Sequence, residues 1–286
     1  MDDTYRILAE GCFVSNNTRQ TALNNNDLVI GVSGGGKTRG YVLPNILLGD
    51  ESIVVVDTKN TIKSMVSKQL KRKGYDVVSI DFTDLKNSPY GYNPLDYIMF
   101  DEETGRYCEQ DIMTVSAALT PVTSLREPYW EIMGRVFLES LVSYTLEALP
   151  NEEHHLNSVV QLFKVMGNRQ KVFDILLTEL KQLDPDSFAV SRHEMFKSIA
   201  ASERTYASIL GTLSEKLDVL SFDGAKRLFE NPNKLRFEEI SKKKTAVFLN
   251  ISDTDRSMDR LANHFFTQAF HSLCSFADQQ PQSTGS

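Results

Sequence analysis

Apolar positions follow two different rhythms along the chain, and the change of rhythm divides it. Short unbroken runs, rich in β-branched residues, occur at Leu28–Ile30, Ser52–Asp57 (SIVVVD), Tyr75–Phe82 (YDVVSIDF) and Thr245–Ile251 (TAVFLNI). Runs that do not alternate mark strands buried on both faces of a parallel sheet. The segments between the first three read as helices. One spans Thr38 to Leu48, shortened or kinked by Pro44 and stopped at Gly49. The other spans Asn60 to Gly74, with Thr61 as candidate cap and Ile62, Met65, Val66 and Leu70 as its apolar stripe. Strands and helices alternating over short links predict right-handed parallel crossovers and a doubly wound α/β sheet.

Helical spacing takes over after the loop SPYGYNPL, which begins at Ser88. Stripes at three- and four-residue steps cover Cys108–Leu119, Pro128–Ala148, Leu156–Met166, Gln170–Leu183 and His193–Leu220, with no convincing strand between 101 and 229. The expectation is an α/β domain in two parts, 1–100 and 233–286, interrupted by an all-α domain at 101–232. Residues 1–26 are mostly polar, with a short edge strand expected at Gly11–Val14. A long helix is expected at Arg256–Ala277 and a disordered tail in QQPQSTGS.

Composition narrows the class without naming a function. A chain of 286 residues with 41% hydrophobic and 24% charged residues has an ordinary globular make-up. It contains no apolar run of eighteen residues, and MDDTYRILAEG is not a signal peptide. Cys12, Cys108 and Cys274 have no metal-like spacing and form no even set, so reduced thiols are expected. A net charge of −7 argues against a uniformly basic nucleic-acid-binding surface, while leaving room for local basic patches.

The candidate chemistry sits in DLVIGVSGGGKTR, where Gly31, Gly36, Lys37 and Thr38 match the phosphate-loop spacing G-x-x-x-x-G-K-[ST] after an expected strand and before an expected helix. Glycines at 31, 34, 35 and 36 let successive N–H groups turn toward one anion, and Val32 and Ser33 complete the loop. Lys37 supplies an ammonium for the β- and γ-phosphates, Thr38 a hydroxyl for Mg²⁺, and Arg39 a second cation next to the loop. The ligand expected is ATP with Mg²⁺. A carboxylate for the metal is sought at strand ends, and two positions qualify, Asp57 and Asp253. Asp57 is either a water-mediated Mg²⁺ ligand or a turn cap, with Lys59 as an alternative partner. Asp253, or Ser252 beside it, reads better as a helix cap. Neither aspartate is followed by a glutamate. Other charged groups carry weaker signals: the basic run Lys68, Lys71, Arg72 and Lys73, the triplet Lys242–Lys244, and His154-His155, which lacks metal-site spacing.

Taken in order, several of these segments resemble the cytoplasmic ATPase domain of type IV secretion coupling proteins, the TraG/TraD-like conjugation ATPases of the FtsK/HerA superfamily. The matching stretches are GVSGGGKTRGYVLPNILL, VVVDTK, VVSIDF with YNPLDYI, YWEIMGRVFLESLVSYTLE, ASERTYASILGTLSEKL and KTAVFLNISDTDRSMDRLANHFFTQAFHSL. The resemblance implies a RecA-like P-loop NTPase fold with an all-α insertion, at the cytoplasmic face of the bacterial membrane. It further implies a homohexamer pumping single-stranded DNA and relaxase cargo alongside type IV secretion inner-membrane components, with Arg204 or Arg256 as a trans arginine finger. Where the family reads DPKGE, this chain has Asp57-Thr58-Lys59-Asn60-Thr61. The family's membrane helices and Walker B Asp-Glu pair have no counterpart in the sequence. The expectation is therefore a fragment or truncated product, able to be monomeric by itself, that binds nucleotide and hydrolyses it weakly or not at all. Two rivals stand beside this: a non-hydrolysing module that docks cargo or relaxase, and a P-loop kinase, which the absence of a lid-like arginine cluster weakens.

Overall fold

The computed structural model of the protein describes residues 4–279 apart from Leu125, Arg169 and Ala201. The chain opens with β1 (Tyr5–Ala9), β2 (Cys12–Ser15) and the short α1 (Thr18–Thr21). After the phosphate loop come a π-helical turn at Thr38–Val42, α2 (Leu43–Leu48), β3 (Ile53–Val56), α3 (Ile62–Arg72) and β4 (Asp76–Asp81). Two-residue strands β5 (Phe100–Asp101) and β6 (Arg106–Tyr107) precede α4 (Glu109–Leu119), α5 (Pro128–Ala148), α6 (Leu156–Asn168), α7 (Gln170–Leu183), α8 (Phe188–Ile199) and α9 (Glu203–Asp218). The chain then forms α10 (Asp223–Glu230), α11 (Phe237–Lys242), β7 (Thr245–Asn250) and α12 (Asp259–Gln279). The tail expected to be disordered lies, beyond Gln279, outside the described residues.

Three expectations need correction. Leu28–Ile30 forms no strand, and Leu28 and Ile30 are 86% and 85% exposed. A three-residue apolar run becomes a strand only by pairing, and here both flanks are committed elsewhere, Asp27 to Arg6 and Tyr41, Gly31 to Lys37. The stripe expected as one helix at His193–Leu220 is two. Ser202 starts α9 afresh, its Oγ accepting the Thr205 N–H at 3.1 Å. The last helix starts at Asp259, so neither Ser252 nor Asp253 caps it. The N-terminal strand at Gly11–Val14 is β2, one arm of an antiparallel hairpin in which Tyr5 faces Ser15.

The described chain separates into two compact units. One comprises Met1–Ile80 and Arg236–Ser252. Its three-stranded sheet has the order β3-β7-β4, with Ile53 to Val56 running parallel to Ala246 to Leu249. All six residues of β7 are buried, as a central strand's should be. Ile46 of α2, Val66 and Leu70 of α3, Tyr75, Ala246 and Phe248 make the core beneath it.

The second unit comprises Asp81–Leu235 and Asp253–Ser286. Its centre is α5, where Phe137, Leu138, Leu141 and Val142 are fully buried. Phe137 stacks on Phe196 of α8 at 4.4 Å and meets Phe173 of α7 edge-on at 6.2 Å. Small residues let α8 come close: Ser140 Oγ donates to the Ala189 carbonyl at 2.8 Å. The segment YGYNPL is a buried hub. Gly91 lies so close to the end of α10 that a Cβ there would sit 2.5 Å from the Leu228 carbonyl oxygen. Tyr92 is fully buried, its hydroxyl donating to Gln268 Oε1 of α12 at 2.6 Å. The Asn93 amide donates to the His154 carbonyl, and its oxygen accepts the N–H of Leu156. Among the described residues no helix is long and apolar enough to cross a membrane.

Candidate nucleotide site

Residues 31–38 form an exposed loop whose backbone takes the shape its glycines permit. Gly34 and Gly36 have φ of +75° and +81°, in the left-handed region that side chains resist. At Gly35 the fit is tight instead: its N–H donates to the Val32 carbonyl at 3.0 Å, and a Cβ would lie 3.0 Å from that same oxygen. Gly36 then hands over to the π-helical turn, its carbonyl accepting the Gly40 N–H at 2.7 Å.

Lys37 is half-buried and turns back over the loop. Its Nζ donates to the carbonyls of Gly31 at 2.7 Å and Val32 at 2.9 Å. An ammonium has three N–H donors, so one remains for an anion in the mouth of the loop. Thr38 and Arg39 are exposed at the start of the turn. These residues fit a triphosphate with its magnesium: positive-φ glycines supply the curl, Lys37 a cation, and Thr38 a hydroxyl for the metal.

Asp57 is placed differently. It is 2% exposed just beyond β3, its N–H held by the Leu249 carbonyl of β7 at 2.9 Å. Its carboxylate caps α3: Oδ1 accepts the Thr61 N–H at 3.0 Å and Oδ2 the Lys63 N–H at 2.9 Å. Thr61 itself makes no side-chain cap. Lys63 reaches the next strand, donating to Ser79 Oγ at 3.0 Å. Asp253 is exposed in a bend.

Several of the weaker candidates have local partners. Lys73 donates to the carbonyls of Leu47 and Leu48 at 2.6 and 2.7 Å, so it closes the C-terminus of α2 rather than that of its own helix. Lys244 lies over the Tyr75 ring at 5.9 Å. Arg256 pairs with Asp259 three residues on, and Arg204 is exposed at the start of α9. Among the described residues no group of three or more His, Cys, Asp or Glu is arranged to hold a metal.

Sequence reasoning passed over the residues that anchor the loop's flanks. Arg6 of β1 grips Asp27, with Nε 3.1 and 2.9 Å from its two oxygens, and Tyr41 donates to the same carboxylate at 2.7 Å. Burial first, and then that hydrogen bond, push the Tyr41 hydroxyl up to about 12. In the sequence, Arg6 and Asn24–Asn26 lie in a mostly polar stretch with nothing to pair them.

The model of a family described as type IV secretory system conjugative DNA transfer matches residues 6–284. Protein VirD4 of Rhizobium radiobacter is 22% identical over 241 residues, covering 80% of this chain and 32% of that protein. The solved structure of the bacterial conjugative coupling protein TrwBdeltaN70, in an unbound form, has a TM-score of 0.51 at 14% identity. It covers 98% of this chain and 60% of that one, and it establishes the fold as that of an α/β P-loop NTPase. The chain thus spans about a third of the length of VirD4 and three fifths of the TrwB chain. By the family match over nearly all its residues, the chain belongs to the type IV secretory conjugative DNA-transfer family.

Proposed function

We propose that this member of the conjugative DNA-transfer family binds ATP with Mg²⁺ on Gly31–Thr38, as the nucleotide-binding part of a coupling protein. The observation that carries the reading is the loop itself: glycines at positive φ and a lysine folded over the loop's mouth with one donor to spare. In this reading the nucleotide unit of Met1–Ile80 and Arg236–Ser252 drives the intact protein, and the helical residues inserted between them face cargo. The intact protein would work as a homohexamer at the cytoplasmic face of the membrane. There it would pass single-stranded DNA and relaxase to the inner-membrane components of the secretion system.

A second reading is favoured by one feature of the sheet edge. In-line attack on a γ-phosphate needs a base or a group that positions water. Asp57 has both oxygens engaged by α3, and no glutamate follows it or Asp253. The chain then holds ATP without turning it over, and its helical part serves as a docking module. Phosphate release with Mg²⁺–ATP distinguishes the two. The reading of binding without turnover predicts no release above that of Lys37→Ala, and robust release dependent on Lys37 overturns it.

A further inference from the structure

The phosphate loop is held at both ends by one network. Asp27 lies four residues before Gly31 and Tyr41 three after Thr38. The Tyr41 hydroxyl donates to Asp27 Oδ2 at 2.7 Å, which closes the base of the loop. Arg6 reinforces this closure from the hairpin. Besides gripping Asp27, its guanidinium donates to the Ser15 carbonyl at 3.3 Å, Asn25 Oδ1 at 3.1 Å and the Asn24 carbonyl at 3.3 Å. The Arg6 and Asp27 side chains are only 12% and 15% exposed, although the surrounding chain is open to solvent. Asn45 of α2 makes a second stitch: it accepts the Ile7 N–H and donates to the Ile7 carbonyl, both at 2.8 Å, while its amide also reaches the Tyr41 carbonyl at 2.8 Å. Strand β1 is therefore bonded to the chain on both sides of the loop.

We propose that Arg6, Asp27 and Tyr41 are positioning residues of the phosphate loop, through which the β1–β2 hairpin fixes the separation of the loop's ends and with it the affinity for a nucleoside triphosphate. The proposal rests on the reading of Gly31–Thr38 as the nucleotide site. Its physical basis is preorganisation. The loop's carbonyls and N–H groups belong to eight residues, all exposed but the half-buried Lys37, with no strand on their N-terminal side among the described residues, so their geometry depends on what pins the flanks. A planar guanidinium spanning a carboxylate and several carbonyls is suited to that task in a way that a point charge is not. Arg6 also neutralises a carboxylate close to a site meant for polyphosphate.

The test compares Mg²⁺–ATP affinity, well below the unfolding temperature, with the thermal midpoint of each nucleotide-free protein. The variants are Arg6→Ala, Arg6→Lys and Tyr41→Phe, with Lys37→Ala alongside. Positioning predicts that Arg6→Ala and Tyr41→Phe weaken binding by about threefold to tenfold. Arg6→Lys should recover part of the loss, and these affinity changes should not follow the order of the midpoints. If all three bind within about twofold of wild type while Lys37→Ala loses binding, the proposal fails and the nucleotide site stands. If Lys37→Ala binds as well as wild type, the nucleotide reading fails and takes the proposal with it. Should Arg6→Ala not fold, Tyr41→Phe, which removes one hydroxyl, decides alone.

Discussion

Glu131 and Lys216 are each 6% exposed, and they face one another at 2.9 Å between α5 and α9. Glu131 also takes the Thr123 hydroxyl and the N–H groups of Thr123 and Ser124, so it ties the segment before α5 to the helix. The Thr123 hydroxyl first, then the Ser124 N–H and the Lys216 ammonium, hold its carboxyl down at about 2, against an ordinary 4.5. The stabilisation is therefore complete above pH about 4.5 and is lost as pH falls toward 2. Glu131→Gln leaves Lys216 buried without its counter-charge, and denaturant unfolding at pH 7 should show a loss of about 3 kcal/mol or more. Adding Lys216→Met should recover much of it. His264 acts in a different pH window. It is 2% exposed on α12, its Nε2 has no hydrogen-bond partner among the described residues, and burial lowers its imidazole from 6.5 to about 4. Between those values the unfolded chain takes up a proton that the folded chain refuses, so stability falls as pH drops through that range. His264→Gln should flatten that part of the pH–stability curve, and an unchanged slope would show that this imidazole is not its source. Neither residue was legible in the sequence. A glutamate and a histidine on amphipathic helices read as surface until packing reveals which face is covered.

Elements differ in how much of their role is written locally. The run SIVVVD predicts a strand because β-branched residues without alternation suit a buried sheet; β3 is there, but at an edge of the described sheet, with none of its residues fully buried and Val56 44% exposed. The glycine-rich loop was legible for the same reason, since its constraints act within eight residues. Asp57 was ambiguous because a carboxylate after a strand serves a metal or a helix equally well. Only the chain's path shows that α3 starts where both oxygens can cap it. Asp57→Ala should therefore lower global stability by about 0.5–2 kcal/mol, and an unmoved urea midpoint would contradict the cap. The hairpin's grip on the loop could not be read at all, because Arg6, Asp27, Tyr41 and Asn45 meet only in three dimensions. YGYNPL was a loop by composition, yet it is the buried hub of its unit. Gly91→Ala would place a methyl group against the Leu228 carbonyl and Asn231 Cβ, at 2.5 and 2.6 Å. The shift it forces should cost about 1–3 kcal/mol in an unfolding titration, whereas free tolerance would show that the approach relaxes easily.

At the scale of the molecule, two kinds of apolar rhythm foretold an α/β part and a helical part; the chain does take an α/β P-loop NTPase fold, and it belongs to the conjugative DNA-transfer family. What the sheet does at its edge is harder to infer, because strand order depends on long-range pairing. The central strand β7 comes from residues 245–250, nearly two hundred positions after its partner β3. The function proposed for the whole turns on whether the exposed loop is a nucleotide site. Calorimetric titration of Mg²⁺–ATP into wild type and into Lys37→Ala tests this most directly. The account predicts saturable binding to wild type, weakened by about 1.5–3 kcal/mol when the one ammonium over the loop is removed. Equal affinity in the two proteins, or no binding to wild type, would contradict it.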